Sequence, residues 1–422
     1  MDKSKNDLQR KLILALSISI NLGLLFYFKY SNFFIENVNA ISSVFGINSI
    51  HWTKLILPLG ISFFTFETIT YVVDVYRRTL KPLKNFWDYQ LYIILFPKLI
   101  AGPIIRYHEI SDQITNREHN ETIDNRLTGF FRFVLGLAKK VLIANVMGQV
   151  ADEVFALNYN EISSYTAWIG ILAYTFQIYF DFSGYSDMAI GIGKMLGFRF
   201  PENFDNPYIS KNITEFWTRW HISLSKWLRI YIFLPLAFSF SRKLPKEKYI
   251  HIKSEQWIYM YAALITFFCC GLWHGASWSF VLWGLYYGVF LILEKIFLLK
   301  VYKKLGKFLS TVLTFLLVII GWVFFRIEKL SDTFVFIKRM FAFEFKYDFY
   351  FNREFITILF IAIFFAFFAY SEKGKKIQLM IYGDNYSMKR YYFMSFVSLL
   401  LLILSVSSIT GSGFNPFIYF RF

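Results

Sequence analysis

Residues Gln256–Glu294 read QWIYMYAALITFFCCGLWHGASWSFVLWGLYYGVFLILE. Two apolar runs, 256–272 and 276–298, flank one histidine in Cys269-Cys270-Gly271-Leu272-Trp273-His274-Gly275-Ala276-Ser277-Trp278. A helix that crosses the hydrocarbon core needs about 20 mostly apolar residues. These runs approach or reach that length, so the chain is an integral membrane protein with an ionisable group between two spans. Such a group is costly there and by default marks a functional site. Imidazole also takes and gives a proton near neutral pH. Gly271 and Gly275 would let a backbone or a substrate approach His274 closely. The competing explanation is a structural histidine bonded to a neighbouring helix, and the functional reading outweighs it.

Composition extends the membrane reading to the whole chain of 422 residues. Charged residues make up 18%, against about 25% in a soluble domain. Mean hydropathy is +0.42. The 52 Phe residues suit a body whose surface faces lipid, where apolar side chains need no burial in protein. The net charge of +16 sits mainly in short stretches between apolar runs. The positive-inside rule accounts for that placement and excludes nucleic acid as a partner. Cys269 and Cys270 are adjacent in an apolar run, so they are packing residues rather than a disulfide framework. Leu12–Phe28 follows a polar start and lacks a small-residue cleavage site, so it reads as a retained signal anchor.

Candidate spans are 12–30, 53–75, 88–105, 127–150, 165–182, 256–272, 276–298, 307–325, 354–371 and 391–411. Several are interrupted by Gly, Pro or charge, as in helices that tilt, break or line a cavity. The basic stretches 77–84, 241–253, 295–307 and 373–390 belong in the cytoplasm, and the acidic stretch 151–163 outside. Those sides alternate only if 88–105, with Pro97, Gly102 and Pro103, is a broken or re-entrant segment. Such backbone at membrane depth must be buried in protein or line a wet cavity.

Residues 183–240 are too polar for a plain span yet rich in Trp, Tyr and Phe. Asn212 or Thr214 can cap a helix that starts near residue 213. On it Phe216, Trp220 and Leu224 form one stripe, and Trp217, His221 and Ser225 its neighbour. This predicts an amphipathic helix at the cytoplasmic face, with His221 as the second candidate histidine. A surface helix that merely anchors the protein explains the pattern equally well. The remaining histidines, His51, His108, His119 and His251, lie in polar connections. The chain has no P-loop, no Gly-x-Ser-x-Gly elbow, no Cys cluster and no His-x-x-x-His pair, so a metal site is not expected.

The chain resembles the membrane-bound O-acyltransferase superfamily. The match lies nearest its bacterial branch, which serves alginate and peptidoglycan O-acetylation and teichoic-acid D-alanylation. The matching segments are Leu57–Phe66, Phe96–Ile104, Tyr179–Ala189, Asn203-Phe204, Pro207-Tyr208, Trp217–Trp227, Trp273-His274-Gly275 and Pro416–Phe420. They run from about residue 55 to the C-terminus of what is treated as one domain, 1–422. The resemblance implies an all-α polytopic membrane protein: a ring of roughly ten tilted helices, with re-entrant and amphipathic helices around a central funnel.

It implies His274 as catalytic base and His221 as a second site histidine. Trp273, Trp278, Tyr179 or Ser183 would supply hydrogen bonds to a developing oxyanion. Asp181 would orient a histidine or only cap a helix, and Trp217, Arg219 and Trp220 would line the acyl channel. No cofactor is implied. The donor is acetyl-CoA or an acyl-carrier thioester, and acetyl ranks ahead of D-alanyl. The acceptor is an extracytoplasmic polysaccharide, reached directly or through an extracellular or periplasmic acetyltransferase partner of the SGNH type that serves the alginate and peptidoglycan branches. The setting is a bacterial plasma membrane. A non-enzymatic transporter or scaffold is the remaining alternative. The chain departs from the family at three places. It starts late relative to the family's N-terminal helices. Ile230 stands where many members have Asp, and Tyr286-Tyr287-Gly288 where many have Tyr-His-Gly.

Overall fold

Among the described residues, five helical stretches are long and apolar enough to cross a membrane: Asp7–Val44, Ser254–His274, Trp278–Arg326, Arg353–Tyr370 and Met388–Gly411. The computed structural model describes residues 6–244, 246–249, 252–383, 386–412 and 415–418. His251, Asp384, Tyr419 and Phe420 lie outside those residues.

The chain opens with α1 (Asp7–Leu25) and α2 (Ser31–Val44), joined through a π-turn at Phe26–Tyr30. Next come α3 (Ile61–Tyr76), α4 (Phe86–Ile94) and α5 (Tyr107–Thr115). Then α6 (Ile123–Ala138) and α7 (Asn145–Phe155) run on through a π-turn at Lys139–Ala144. The long α8 (Ser164–Met195) is followed by the short α9 (Ile213–Arg219) and α10 (Ile222–Leu228), and by α11 (Leu234–Lys243). A small hairpin, Lys248–Tyr249 with Ile252–Lys253, leads into α12 (Ser254–His274). The chain ends with α13 (Trp278–Leu293), α14 (Leu299–Arg326), α15 (Leu330–Met340), α16 (Arg353–Phe367), α17 (Glu372–Tyr382) and α18 (Met388–Ser412).

The first helix shows how the apolar residues are spent. Leu8, Leu12, Leu16, Ile20 and Leu24 recur every fourth residue and are all exposed. That stripe suits lipid. The opposite side carries Arg10, whose guanidinium donates to the carbonyl of Tyr76 at the end of α3 at 2.5 Å.

The runs 53–75, 88–105, 127–150 and 165–182 fall outside the five spans, for two reasons. The first is burial. α8 is enclosed by protein, so it can carry Gln177, Asp181, Ser183, Ser186 and Asp187. Polar groups survive at such positions when protein partners satisfy them. α8 packs antiparallel on α6 through facing glycines. A Cβ on Gly136 would meet the Gly184 carbonyl at 2.5 Å, and one on Gly129 would meet that of Gly191 at 2.7 Å. Small residues let two helix backbones close to this distance. The same interface holds Asp187 between Arg132 and Lys139, at 2.6 and 2.5 Å, and Asp181 against Lys140 at 2.7 Å.

The second reason is breakage. In 88–105 the helix stops at Ile94, makes a 3-10 turn at Phe96–Lys98 and continues as non-helical chain. The sequence predicts this break, and the structure shows what fills it. Lys98 is fully buried and pairs with Glu67 of α3 at 2.5 Å. The Tyr92 hydroxyl lies 3.0 Å from the Ile105 carbonyl and 3.3 Å from that of Glu67. The run 53–75 is helical only from Ile61, after Gly60 at φ 76°. A side chain at Gly60 would strike the Leu99 carbonyl, 2.7 Å from its Cβ.

The predicted amphipathic helix from residue 213 differs most from the structure. Asn212 does cap its start, accepting from the Glu215 amide at 2.7 Å. The helix then ends at Arg219, and His221 adopts φ 44°, ψ 55° before a second short helix begins. The two stripes therefore do not share one helix. Phe216, Trp217, Trp220, His221, Leu224 and Trp227 are all buried, so this is no surface helix.

Replacing Gly136 with Leu is expected to force α6 and α8 apart. The purified protein should lose about 1–3 kcal/mol of stability, as overpacked cores do. Thermal unfolding in detergent measures it, with Gly23→Ala as the unchanged control because nothing lies within 4 Å of that position.

Candidate active site

His221 owes its place to Asn203. The Asn203 carbonyl accepts the Ile222 amide at 2.9 Å. Its side-chain Oδ1 accepts the Ser223 amide at 3.1 Å and the Ser223 hydroxyl at 2.8 Å, and lies 3.1 Å from His221 Nδ1. A backbone amide can only donate, so the Asn203 atom that faces it is the oxygen. His221 Nδ1 must then carry the proton, which leaves Nε2 as the ring's acceptor. The left-handed backbone at His221 is unusual for a residue with a Cβ and is held by these bonds. The turn lies outside the five spans, and burial pushes the imidazole down to about 3, so it is neutral at physiological pH.

His274 is the last residue of α12 and is 5% exposed. Its ring contacts Trp273 and Trp283, both at 4.8 Å between centroids, and Phe325 at 5.1 Å. Trp273 also lies 6.0 Å from His221, whose ring meets Phe182 edge-on at 4.7 Å. Both imidazoles thus contact the Trp273 ring. The flanking glycines serve α13: a Cβ on Gly271 would meet the Phe280 carbonyl at 2.3 Å, and one on Gly275 the Phe280 ring at 2.1 Å. The close approach expected at these glycines is therefore made by a neighbouring helix.

Polar donors gather on the Trp273 and Trp283 rings that touch His274 and on the rings packed against Trp283. The Nε1–H groups of Trp217, Trp273 and Trp283 and the hydroxyl of Tyr287 are buried and have no hydrogen-bond partner among the described residues. Trp217, Trp283 and Tyr287 contact one another at 5.2 to 5.7 Å. An unsatisfied buried donor costs about 1–3 kcal/mol, so a cluster of them calls for an explanation. Tyr287 has room because residue 321 is glycine, where a Cβ would sit 2.5 Å from the Tyr287 hydroxyl. Tyr286 beside it donates to the Leu317 carbonyl at 2.8 Å.

The remaining candidates divide clearly. Tyr179 and Trp220 are buried beside the His221 turn, with rings 6.3 Å apart, and Ser183 is buried next to Phe182. Asp181 pairs with Lys140 at 2.7 Å. Arg219 is half-buried and pairs with Asp205 and Glu215, both at 3.0 Å. Trp278 is 54% exposed and donates to Asn37 of α2 at 2.9 Å, away from the histidines. Ile230 lies in a π-turn after α10 and is half-buried. Cys270 is buried and Cys269 half-buried; both are free thiols. Among the described residues no cluster of three or more His, Cys, Asp or Glu could hold a metal.

Sequence reasoning gave no role to Asn203, Trp283, Phe325 or Lys29. The Lys29 ammonium donates to the Trp273 carbonyl and lies 3.4 Å from that of His274. A lone charge in the first apolar run was its available signal. Asn203 was marked only as part of a matching segment, and nothing in the sequence marks Trp283 or Phe325, because the contacts that place them cross between distant helices.

The family model for the membrane-bound O-acyltransferases (MBOAT) matches residues 76–303, which contain both histidines. A probable alginate O-acetylase AlgI from Azotobacter vinelandii is 44% identical over 330 residues, covering 78% of this chain and 63% of that protein. One from Pseudomonas putida is 39% identical over 425 residues, covering 97% of this chain and 84% of its own length. A peptidoglycan O-acetyltransferase from Helicobacter pylori is 36% identical over 360 residues, covering 78% of this chain and 65% of that protein.

Asn203→Ala strips the acceptor from Ser223 and His221 at once. The expected cost is about 1–3 kcal/mol per orphaned donor, seen as a lower thermal midpoint. Asn203→Asp keeps an acceptor and should lose less.

Proposed function

The chain belongs to the membrane-bound O-acyltransferase family, and on that premise we propose that it is an O-acyltransferase centred on His274. It takes an acyl group, acetyl in the first instance, from a cytoplasmic thioester and delivers it to a hydroxyl of an extracytoplasmic polysaccharide, directly or through a partner acetyltransferase. The observation that carries this reading is the pair of buried histidines that both contact Trp273, with the unsatisfied indole donors of Trp273 and Trp283 on the rings that touch His274.

The chemistry follows from that set. An alcohol is a weak nucleophile until a base takes its proton as it attacks. His274 removes the proton, and the oxygen bonds to the thioester carbonyl carbon. The carbonyl oxygen becomes an oxyanion, which the indole N–H of Trp273 and Trp283 and the Tyr287 hydroxyl are suited to bind. The C–S bond then breaks, and the proton on His274 passes to the departing thiolate. The ester and a free thiol leave, and the imidazole is restored. His221, with Nε2 as acceptor, orients the incoming hydroxyl or relays its proton.

The donor thioester, acetyl-CoA or an acyl carrier, enters from the side of the basic stretches 241–253, 295–307 and 373–390. The helices form a ring around a central funnel in a bacterial plasma membrane, as one domain. An SGNH-type acetyltransferase outside the membrane is the fitting partner. O-acetylation ranks first because the relatives named above are an alginate O-acetylase and a peptidoglycan O-acetyltransferase. D-Alanyl transfer uses the same bond exchange and differs only in the acyl group.

In cells, the esters on envelope polysaccharide are to be measured for wild type, His274→Ala and His221→Ala, with membrane levels checked by blot. A general base contributes about 10²- to 10⁴-fold, so His274→Ala is expected to lose essentially all ester while still accumulating. Unchanged ester in that variant contradicts the assignment. D-alanyl ester in place of acetyl revises the donor and keeps the base.

A further inference from the structure

The first helix does more than anchor the chain. Three consecutive carbonyls close α12, those of Leu272, Trp273 and His274, and helix ends leave such groups without amide partners. All three are met by α1–α2. Tyr30 donates its hydroxyl to the Leu272 carbonyl at 2.8 Å. The Lys29 ammonium donates to the Trp273 carbonyl and lies 3.4 Å from the His274 carbonyl and 3.3 Å from the Ser62 hydroxyl. An ammonium has three donors, and here it has three acceptors. It also lies 5.9 Å from the centre of the Trp273 ring. Further along the same helix Asn37 holds the Trp278 indole at 2.9 Å. The first helix therefore brackets the turn from Leu272 to Trp278.

Two features argue that this is built rather than incidental. Lys29 is the one charged side chain in the apolar run 12–30, where a charge is expensive. It also lies inside the π-turn Phe26–Tyr30. A π-turn adds a residue to the helix and re-aims the side chains around it, and such turns recur at functional sites. A cation at a helix C-terminus is favourable as well.

We propose that Lys29, with Tyr30, is a positioning residue for acyl transfer: it fixes the backbone at Trp273-His274 and so the placement of the imidazole and the indole N–H. This rests on His274 acting as the base. Displacement of a reacting group by about 1 Å can cost about 10²-fold in rate, so loosening this turn reaches the chemistry without removing any catalytic group.

The test uses the full chain in cells. The initial rate of ester formation on envelope polysaccharide, per molecule of membrane-inserted protein, is compared for wild type, Lys29→Met, Lys29→Arg, Tyr30→Phe and His274→Ala, and the thermal midpoint of each purified protein is recorded. Lys29→Met is expected to lose about 10- to 100-fold in rate with a midpoint within a few degrees of wild type. Lys29→Arg, which keeps the charge and the donors, should recover most of that loss, and Tyr30→Phe should fall between. If Lys29→Met fails to accumulate, Tyr30→Phe carries the test, because it removes only one hydroxyl. A wild-type rate in Lys29→Met and Tyr30→Phe beside a dead His274→Ala overturns this inference alone. A rate loss that only follows lost protein or a lowered midpoint overturns it too, leaving a structural tether. An active His274→Ala overturns both this inference and the function it rests on.

Discussion

A break in a helix at membrane depth survives only where protein supplies the hydrogen bonds that the lost turns no longer make. Among the described residues, three breaks near the candidate site, at 95–106, at Trp220-His221 and at Gly275–Ser277, are each closed by a polar side chain from another element. Glu67 meets Lys98 at the first, Asn203 holds the second, and Lys29 and Tyr30 cap the helix before the third. The closures are tied together. Ser223, bound to Asn203, accepts the Ile104 amide of the first break at 2.9 Å. Ser62, Phe66 and Glu67 all lie on α3, and they reach Lys29, the Trp227 and Trp273 rings, and Lys98 respectively. His221 lies within the second of these breaks and His274 at the edge of the third, both buried in protein.

The α6–α8 pair supplies the rigid wall for this arrangement. Its glycine contacts set the spacing, and its buried ion pairs act in the opposite sense from surface pairs. Removing one partner strands a buried charge, which typically costs about 3–5 kcal/mol, whereas replacing the whole pair with apolar residues can be neutral. Asp187 and Asp181 are therefore better understood as devices that fix how α6 and α8 meet than as reserves of stability. Phe182, between them on α8, then presents its ring to His221 at 4.7 Å.

The sequence made the membrane character legible, and also the break in 88–105 and the place of His274 at the end of an apolar helix. Each rests on local signals: run length, Pro and Gly, and an ionisable group among apolar neighbours. The burial of His221 was not legible. Residues 183–240 have the composition of a surface segment, and only Asn203, distant from the turn in sequence, keeps its polar groups inside. The same reason hid the nature of α8, whose charges are matched by α6. Trp278 and Trp273 look alike in the sequence, five residues apart on the Trp-His-Gly segment, yet Trp278, beyond the turn, is exposed and bonded to Asn37, while Trp273, inside α12, is buried against both imidazoles.

The most direct test of the account is to find where a thioester donor delivers its acyl group. Purified protein in lipid vesicles would be irradiated with a photoreactive acyl-CoA whose label sits on the acyl chain, and the labelled peptides mapped by mass spectrometry. The account expects label on the segments that surround the imidazoles, chiefly those holding Trp217, Trp273, Trp283 and Tyr287, suppressed by excess acetyl-CoA. Label confined to lipid-facing helices such as α1 or α18, unaffected by competitor, would contradict it.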